Sequence, residues 1–336
     1  MPHSIELPIL DISPFLGTAT GKESQALHTR AAKQLDHDLR SYGFAYITGF
    51  ESVVKQEELD EVLEAARAFF ARPEDEKARL KIRRGDGARG WQKIGENVTG
   101  GYADWHEGWD CYKPVMKEDP SQLLHGPNQW PEEPAEFRRV LEKHFAKMEI
   151  LGHALMDATA LALSITEGSE DHDQLKSWVP DPFWVARCIG YPPLPPDAKG
   201  VSCGAHKDYG NWTLLLADPT PGALQVFLRD PDGTNIGPDS QKRGVWINAD
   251  PKPGCLVVNV GEMVEIYSAG LYKATLHQVV HKSPTYRVSV PFFFEPNYDA
   301  AISAESAREG RPQFKPVKYG DFLTAKVAKN FAFEEP

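Results

Sequence analysis

Apolar positions along this chain change period as it proceeds. Between Glu23 and Ser41 they recur at near-helical spacing, with Leu27, Ala31, Leu35 and Leu39 on one stripe, and Gly43 is placed to stop the helix. Leu7 to Ser13 ahead of it reads as a short strand ended by Pro14. Phe44 to Thr48 reads as a second strand and Glu57 to Phe70 as a second helix. A longer helix is expected from Pro134 to about Ile165, where Phe137, Leu141, Phe145, Met148, Leu151, Leu155 and Leu161 form a stripe suited to lie against a sheet. From Phe183 the period falls from 3.6 to 2. Phe183–Tyr191, Trp212–Leu216, Leu224–Leu228, Val245–Asn248, Cys255–Val260, Ala274–Val280 and Arg287–Phe294 are short strands parted by Pro, Gly and Asp turns. Strands in this order without long helices between them predict an antiparallel sandwich or barrel. The fold class is therefore mainly β with flanking helices, led in by an N-terminal α/β segment.

Composition narrows the partners. The chain has 336 residues, 41% hydrophobic and 25% charged, enough for a sizeable core. Its net charge of −11 argues against nucleic acid, which demands a basic face, and means that an anionic ligand needs local Arg to hold it. Cys111, Cys188, Cys203 and Cys255 lack Cys-x-x-Cys spacing and read as reduced intracellular thiols. The N-terminus has no basic region followed by an apolar core, and no apolar run is long enough to span a bilayer. These features predict a soluble cytoplasmic protein, a monomer or weak homodimer, with a small-molecule substrate and no membrane partner.

The candidate chemistry lies in the β region. His206 and Asp208 are two residues apart, so in extended chain an imidazole and a carboxylate converge on one side. Nitrogen plus hard oxygen suits a divalent first-row ion, and a second His would complete a two-His-one-carboxylate set with open positions. His277 and His281 are both candidates, but four strand residues, roughly 13 Å, prevent both from serving. Arg287 and Ser289 share one strand face and form a carboxylate grip, the guanidinium bidentate and the hydroxyl adding a donor. Other features carry less. Arg83–Gly90 is glycine-rich but lacks the Lys-Ser/Thr ending and following helix of a phosphate cradle, so it reads as a flexible loop. Asp104, His106 and Glu107 have no partner at ligand spacing, and His144 and His153 in the long helix read as packing or surface residues.

His206-x-Asp208, a distant His277, and Arg287-x-Ser289 ten residues after it resemble the pattern of the iron(II)/2-oxoglutarate-dependent oxygenases of the isopenicillin N synthase-like family; His281 does not fit that spacing. The Pro-Ile-Leu-Asp-Ile start and the Tyr-Gly-Phe turn at 42–44 resemble the same group. The resemblance implies a double-stranded β-helix (jelly-roll, cupin-like) core. It divides the chain into an N-terminal α/β segment with a pocket-lining loop over 1–120, a connector and backing helix over 121–180, the jelly-roll core over 181–300 and a C-terminal segment over 301–336, all in one integrated domain. It implies iron(II) on His206, Asp208 and His277, 2-oxoglutarate held by Arg287, Ser289 and Tyr191, O2 as oxidant, and ascorbate as a stimulant. Arg187 is implied to meet a carboxylate of co-substrate or substrate, against the plainer reading of a core Arg paired with an acid. Where the family usually has Asn, two residues before Tyr191, this chain has Ile189. Asn259 and Gly261 match a strand-turn element with a structural role. Gly95-Glu-Asn-Val-Thr-Gly-Gly101 is similar to a pocket-lining segment of the ethylene-forming-enzyme branch, making Glu96, Asn97, Thr99 and Glu107 candidate substrate residues. The implied activity is oxidation of a small amino acid or secondary-metabolite intermediate with release of succinate and CO2, hydroxylation first, with desaturation or cyclisation as variants. The alternatives are a 2-oxoglutarate-independent iron oxidase of isopenicillin N synthase type, in which Arg287 and Ser289 grip the substrate, and a non-catalytic jelly-roll binding protein.

Overall fold

A computed structural model describes residues 5–17, 21–83, 88–115, 117, 124–165, 167–195, 201–229, 244–304 and 314–330. Residues 84–87 of the glycine-rich loop lie outside these, as do parts of the 121–180 connector and the C-terminal segment. The chain opens with strand β1 (Ile9–Asp11), helix α1 (Lys22–Ser41), β2 (Phe44–Thr48), α2 (Gln56–Phe70) and the short α3 (Glu74–Ala78). Gly43 ends α1 as expected: its φ of +65° is left-handed, and a Cβ there would meet the Lys273 carbonyl at 2.4 Å. Next come β3 (Gly90–Gln92), β4 (Val98–Thr99), β5 (Tyr102–Ala103) and β6 (Glu107–Tyr112), followed by the backing helix α4 (Phe137–Ala162) and α5 (Glu170–Ser177). The β region holds β7 (Trp184–Tyr191), β8 (Cys203–His206), β9 (Trp212–Ala217), β10 (Leu224–Arg229), β11 (Gly244–Asn248), β12 (Leu256–Val260), helix α6 (Glu262–Tyr267), β13 (His277–Val279) and β14 (Arg287–Phe294). The small pair β15 (Ala301–Ile302) and β16 (Val317–Lys318) and helix α7 (Tyr319–Asn330) complete it.

Two sheets face each other. The larger runs in the order β1-β2-β12-β9-β14-β7-β6-β3, antiparallel except for the β1–β2 pair, and the smaller in the order β11-β10-β13-β8. Alternation along β14 explains the layering. Val288, Val290, Phe292 and Phe294 join the core cluster that α1, α2 and α4 cover, while Arg287 and Ser289 take the opposite face. The inner cluster between the sheets, with Phe44, Ile189, Tyr191, Leu224, Val226, Val257 and Val279, is smaller and borders the polar residues discussed below. Together these layers form the jelly-roll. Among the described residues no helix is long and apolar enough to cross a membrane.

Several expectations need correction. The strand expected over Ala274–Val280 is only three residues long. A register shift falls between His277 and Val279, and the Thr275 carbonyl turns to the His277 ring instead of a neighbouring strand. Leu161 at the end of the backing stripe is exposed, whereas its other members are buried. The pocket-lining stretch within 1–120 contains strands as well as loop: β3, which begins at Gly90, and β6 extend the large sheet beyond β7. The short helices α5 and α6 and the C-terminal α7 also had no counterpart in the pattern.

Candidate metal centre and active site

β8 delivers His206 beside β13, whose His277 is its direct register partner, and the turn after β8 brings Asp208 between them. Nε2 of His206 and of His277 lie 3.7 and 3.6 Å from Asp208 Oδ1, and one ligand atom from each of the three residues falls within a 4.8 Å cluster. The orientation of each ring is fixed from behind. His206 Nδ1 donates to the Gly204 carbonyl (2.8 Å) and His277 Nδ1 to the Thr275 carbonyl (3.1 Å), so both Nε2 atoms face Asp208. Asp208 is divided in the same way: Oδ2 accepts from Thr213 Oγ1 (2.5 Å) and Asn259 Nδ2 (2.6 Å), which leaves Oδ1 for the centre. Burial would raise the Asp208 carboxyl, but His277, His206, Asn259 and Thr213 together hold it below its ordinary value. Burial, then His206, pushes His277 down to about 4. Burial also opposes charge on His206, yet Cys203 and Asp208 raise it to about 10. The cluster thus attracts a positive charge, which a divalent cation supplies to an N, N, O donor set. His281 is elsewhere, its Nε2 engaged by the Thr285 carbonyl at 2.7 Å.

Arg287 begins β14 opposite Tyr191, the last residue of β7, and its guanidinium stacks 4.8 Å from the Tyr191 ring. Arg287 is 1% exposed, yet among the described residues its Nε and Nη1 have no hydrogen-bond partner. A buried guanidinium with free donors is costly unless an anion joins it, so this end of the inner face fits a carboxylate, with Ser289 adding a hydroxyl on the same face. Tyr191 stays protonated, pushed up to about 12 by burial and Cys203 against the pull of Arg287.

A cavity of about 380 Å³ opens over the centre. Asn97, Thr99 and Arg187 border it together with His206 and Asp208. Arg187 is committed to Asp110, its Nε donating to Oδ1 at 2.7 Å and its Nη2 to Gln92 at 3.1 Å, which is the plainer reading of an Arg paired with an acid, here at the cavity wall. Asn97 and Thr99 both donate to Asp104 Oδ2, and Asp104 Oδ1 accepts from the Gly204 amide; the β4–β5 hairpin is thereby tied to the ligand strand β8. Glu96 and Glu107 do not line the cavity. Glu96 faces outward in an ion pair with Lys81 (2.7 Å), and Glu107 is buried on the far side of β6, where Lys77, Trp91 and Tyr286 donate to it. Asp104 and His106, without a partner in sequence, meet Cys203 in space, but all three hydrogen bonds to the Asp104 oxygens come from protein groups. Wall residues that the sequence did not single out are Asp110, Tyr112, Glu262, Glu295 and, from α7, Leu323 and Lys326. Glu295 follows an apolar run, Phe292-Phe-Phe294, and its alternation with Arg287 and Ser289 was the available signal. Burial, then Asp208, pushes its carboxyl up to about 8.

Comparison with known proteins follows this geometry. Residues 7–133 match the family model described as the N-terminal region of non-haem dioxygenase in morphine synthesis, and residues 180–296 the one described as the 2OG-Fe(II) oxygenase superfamily. Homoarginine-6-hydroxylase 2-ODD-C23 of Glycine max is 37% identical over 343 residues, covering 97% of each chain, and homoarginine-6-hydroxylase 2-ODD-C23.1 of Arabidopsis thaliana is also 37% identical, covering 97% of this chain and 98% of its own. Among solved structures, a full-length Neurospora crassa protein in complex with alpha-KG and thymine superposes with a TM-score of 0.78 at 23% identity over 98% of both chains, a likeness of fold. A putative 2OG-Fe(II) oxygenase family protein from Caulobacter crescentus gives 0.77 at 27% identity over 96% of this chain and 98% of its own. These relatives lend no support to the narrower likeness with the ethylene-forming branch. Two matched regions in order and relatives above 30% identity along nearly the whole length establish that the chain belongs to the 2OG-Fe(II) oxygenase superfamily, the iron(II)- and 2-oxoglutarate-dependent dioxygenases.

Proposed function

We propose that this dioxygenase hydroxylates a small amino acid with a cationic side chain, of the homoarginine class. In this reading His206, Asp208 and His277 hold iron(II), and Arg287, Ser289 and Tyr191 hold the far carboxylate of 2-oxoglutarate. Asn97, Thr99 and Arg187 border the substrate. The observation that carries the substrate class is the 37% identity over 97% of both chains with a homoarginine-6-hydroxylase. The unpartnered Arg287 donors support the 2-oxoglutarate role.

Iron(II), when bound, couples activation of O2 to oxidative decarboxylation of 2-oxoglutarate, so that substrate C–H, 2-oxoglutarate and O2 yield substrate C–OH, succinate and CO2. The protein's part is geometric. The two Nδ1–H···O=C bonds and the Asn259 and Thr213 contacts hold the three ligand side chains in a fixed arrangement beside the cavity, where they would hold iron(II). Arg287 and Tyr191, buried at the inner end of the barrel, exclude water around the co-substrate carboxylate.

The test is anaerobic addition of iron(II) and then 2-oxoglutarate to the apoprotein, followed by an aerobic screen of amino acids for succinate release. A weak visible charge-transfer band on 2-oxoglutarate addition is expected, together with stimulation of succinate release by homoarginine, arginine or lysine above neutral amino acids. Iron binding without the band would transfer the Arg287 grip to the substrate itself. A band with no stimulation by any cationic amino acid would refute the substrate class alone.

A further inference from the structure

Four acids border the cavity, and three are already committed. Asp110 is paired with Arg187, Asp208 faces His206 and His277, and Glu262 is paired with Lys326. Glu295 has no basic partner among the described residues. It is 3% exposed, and among the described residues its Oε2 has no hydrogen-bond partner of good geometry. The groups beside its carboxyl are neutral: the hydroxyl of Tyr319, the first residue of α7, and the backbone of Asn211. The fold also makes room for this carboxylate: it lies over Gly210 so closely that a Cβ at 210 would stand 1.1 Å from Oε2. A buried acid packed over a glycine, with a hydroxyl and a backbone group beside it and no cation, is a carboxylate whose charge a positively charged ligand at the cavity wall would balance.

Its place in the fold matches. Arg287, Ser289 and Glu295 alternate onto one face of β14 and its continuation. Eight residues at roughly 3.3 Å each put the co-substrate grip and Glu295 at opposite ends of that face, about 26 Å apart along the strand. Glu295 shares the cavity wall with Asp208 and is near enough to feel its charge. Position 6 of homoarginine is the carbon that bears the guanidino nitrogen. An enzyme oxidising that carbon must therefore hold the cation close to the metal ligands rather than at the cavity mouth. We infer that Glu295 is the anchor for the substrate's cationic side chain and sets the preference for guanidinium over its neutral isosteres. This inference rests on the amino-acid reading above.

The experiment compares kcat/KM for homoarginine and for homocitrulline, in which a neutral urea replaces the guanidinium, in the wild type and in Glu295→Gln. The wild type is expected to prefer homoarginine by at least tenfold, and Glu295→Gln to lose most of that preference, while its 2-oxoglutarate charge-transfer band and its thermal midpoint stay near wild type. Glu295→Asp keeps the charge and guards against an amide variant that fails to fold; it is expected to retain the sign of the preference at a raised KM. An unchanged preference in Glu295→Gln, or one abolished in a folded Glu295→Asp, overturns the assignment. A wild type that accepts no cationic amino acid overturns it together with the substrate class, whereas a wild type that prefers homoarginine beside an unaffected Glu295→Gln overturns it alone.

Discussion

Asp208 shows how single residues make the centre. Its two oxygens have separate tasks: Oδ2 is occupied by Thr213 and Asn259, and Oδ1 is presented to both imidazoles. Removing one of the two supporting donors frees the carboxylate to rotate or to chelate differently. Asn259→Ala is therefore expected to weaken iron(II) binding by about 10- to 100-fold, the usual cost of losing a partner behind a metal ligand. Anaerobic iron(II) titration of a variant with wild-type secondary structure checks this; unchanged affinity would mean that Thr213 alone fixes Asp208. At this scale the sequence is unevenly legible. The His206–Asp208 and Arg287–Ser289 pairs stand out because i, i+2 spacing in extended chain is itself the geometry, whereas His277 is told from His281 only by its family-like spacing to Arg287. Thr213 leaves no mark, and Asn259 is visible only through its likeness to a strand-turn element, because a supporting hydrogen bond from β12 or β9 to the segment after β8 has no periodic signature. Glu295 is hidden for a related reason: one acid at the end of an apolar strand looks like its exit into solvent.

At the scale of elements, short apolar runs between turn residues explain what was legible. β2 and β14 match the expected ranges residue for residue because each is a largely apolar, buried run set off by turn residues, Gly43 and Gly49 around β2 and Ser283-Pro284 ahead of β14. β6 was missed because all six residues of Glu107–Tyr112 are buried, two of them acids, so its pattern resembles neither a half-exposed strand nor an apolar one. Those acids are the strand's ties. Asp110 on the inner face meets Arg187 of β7, and Glu107 on the outer face joins α3, β3 and the residue before β14 through Lys77, Trp91 and Tyr286. Lys77 and Glu107 are 2.7 Å apart with side chains only 9% and 8% exposed, and Lys77 has one further acceptor, the Phe70 carbonyl. Glu107→Gln leaves that ammonium buried beside a neutral amide. A loss of about 3 kcal/mol in unfolding free energy is expected, at the lower end of the cost of breaking a buried pair because the amide oxygen still accepts one bond. Urea unfolding measures it, alongside KM for the substrate, which should not move. A raised KM at unchanged stability would return Glu107 to the substrate pocket.

The molecule as a whole joins its helical layer to the large sheet through α4, and that helix carries a titratable group in the apolar interior. His144 is 2% exposed, and neither ring nitrogen has a hydrogen-bond partner. Burial, aided by Lys147, lowers it from 6.5 to about 4. It is therefore neutral in the folded protein across the neutral and mildly acidic range, whereas in the unfolded chain it takes up a proton near pH 6.5. Between these two values the unfolded state binds more protons than the folded state, so stability rises with pH and is lost as the pH falls from about 6.5 toward 4. From pH 7.5 to pH 5 this one group should cost about 2 kcal/mol, at 1.36 kcal/mol per unit over the interval below its unfolded value. His144→Leu removes the proton uptake while filling the site with a similar volume. The difference in urea-unfolding free energy between pH 7.5 and pH 5 should shrink by about that amount in the variant, since the carboxylates and the other buried histidines, His106, His277 and His281, titrate alike in both proteins. An equal acid sensitivity in variant and wild type would mean that His144 reaches water in the folded state, so that the packing around α4 admits solvent.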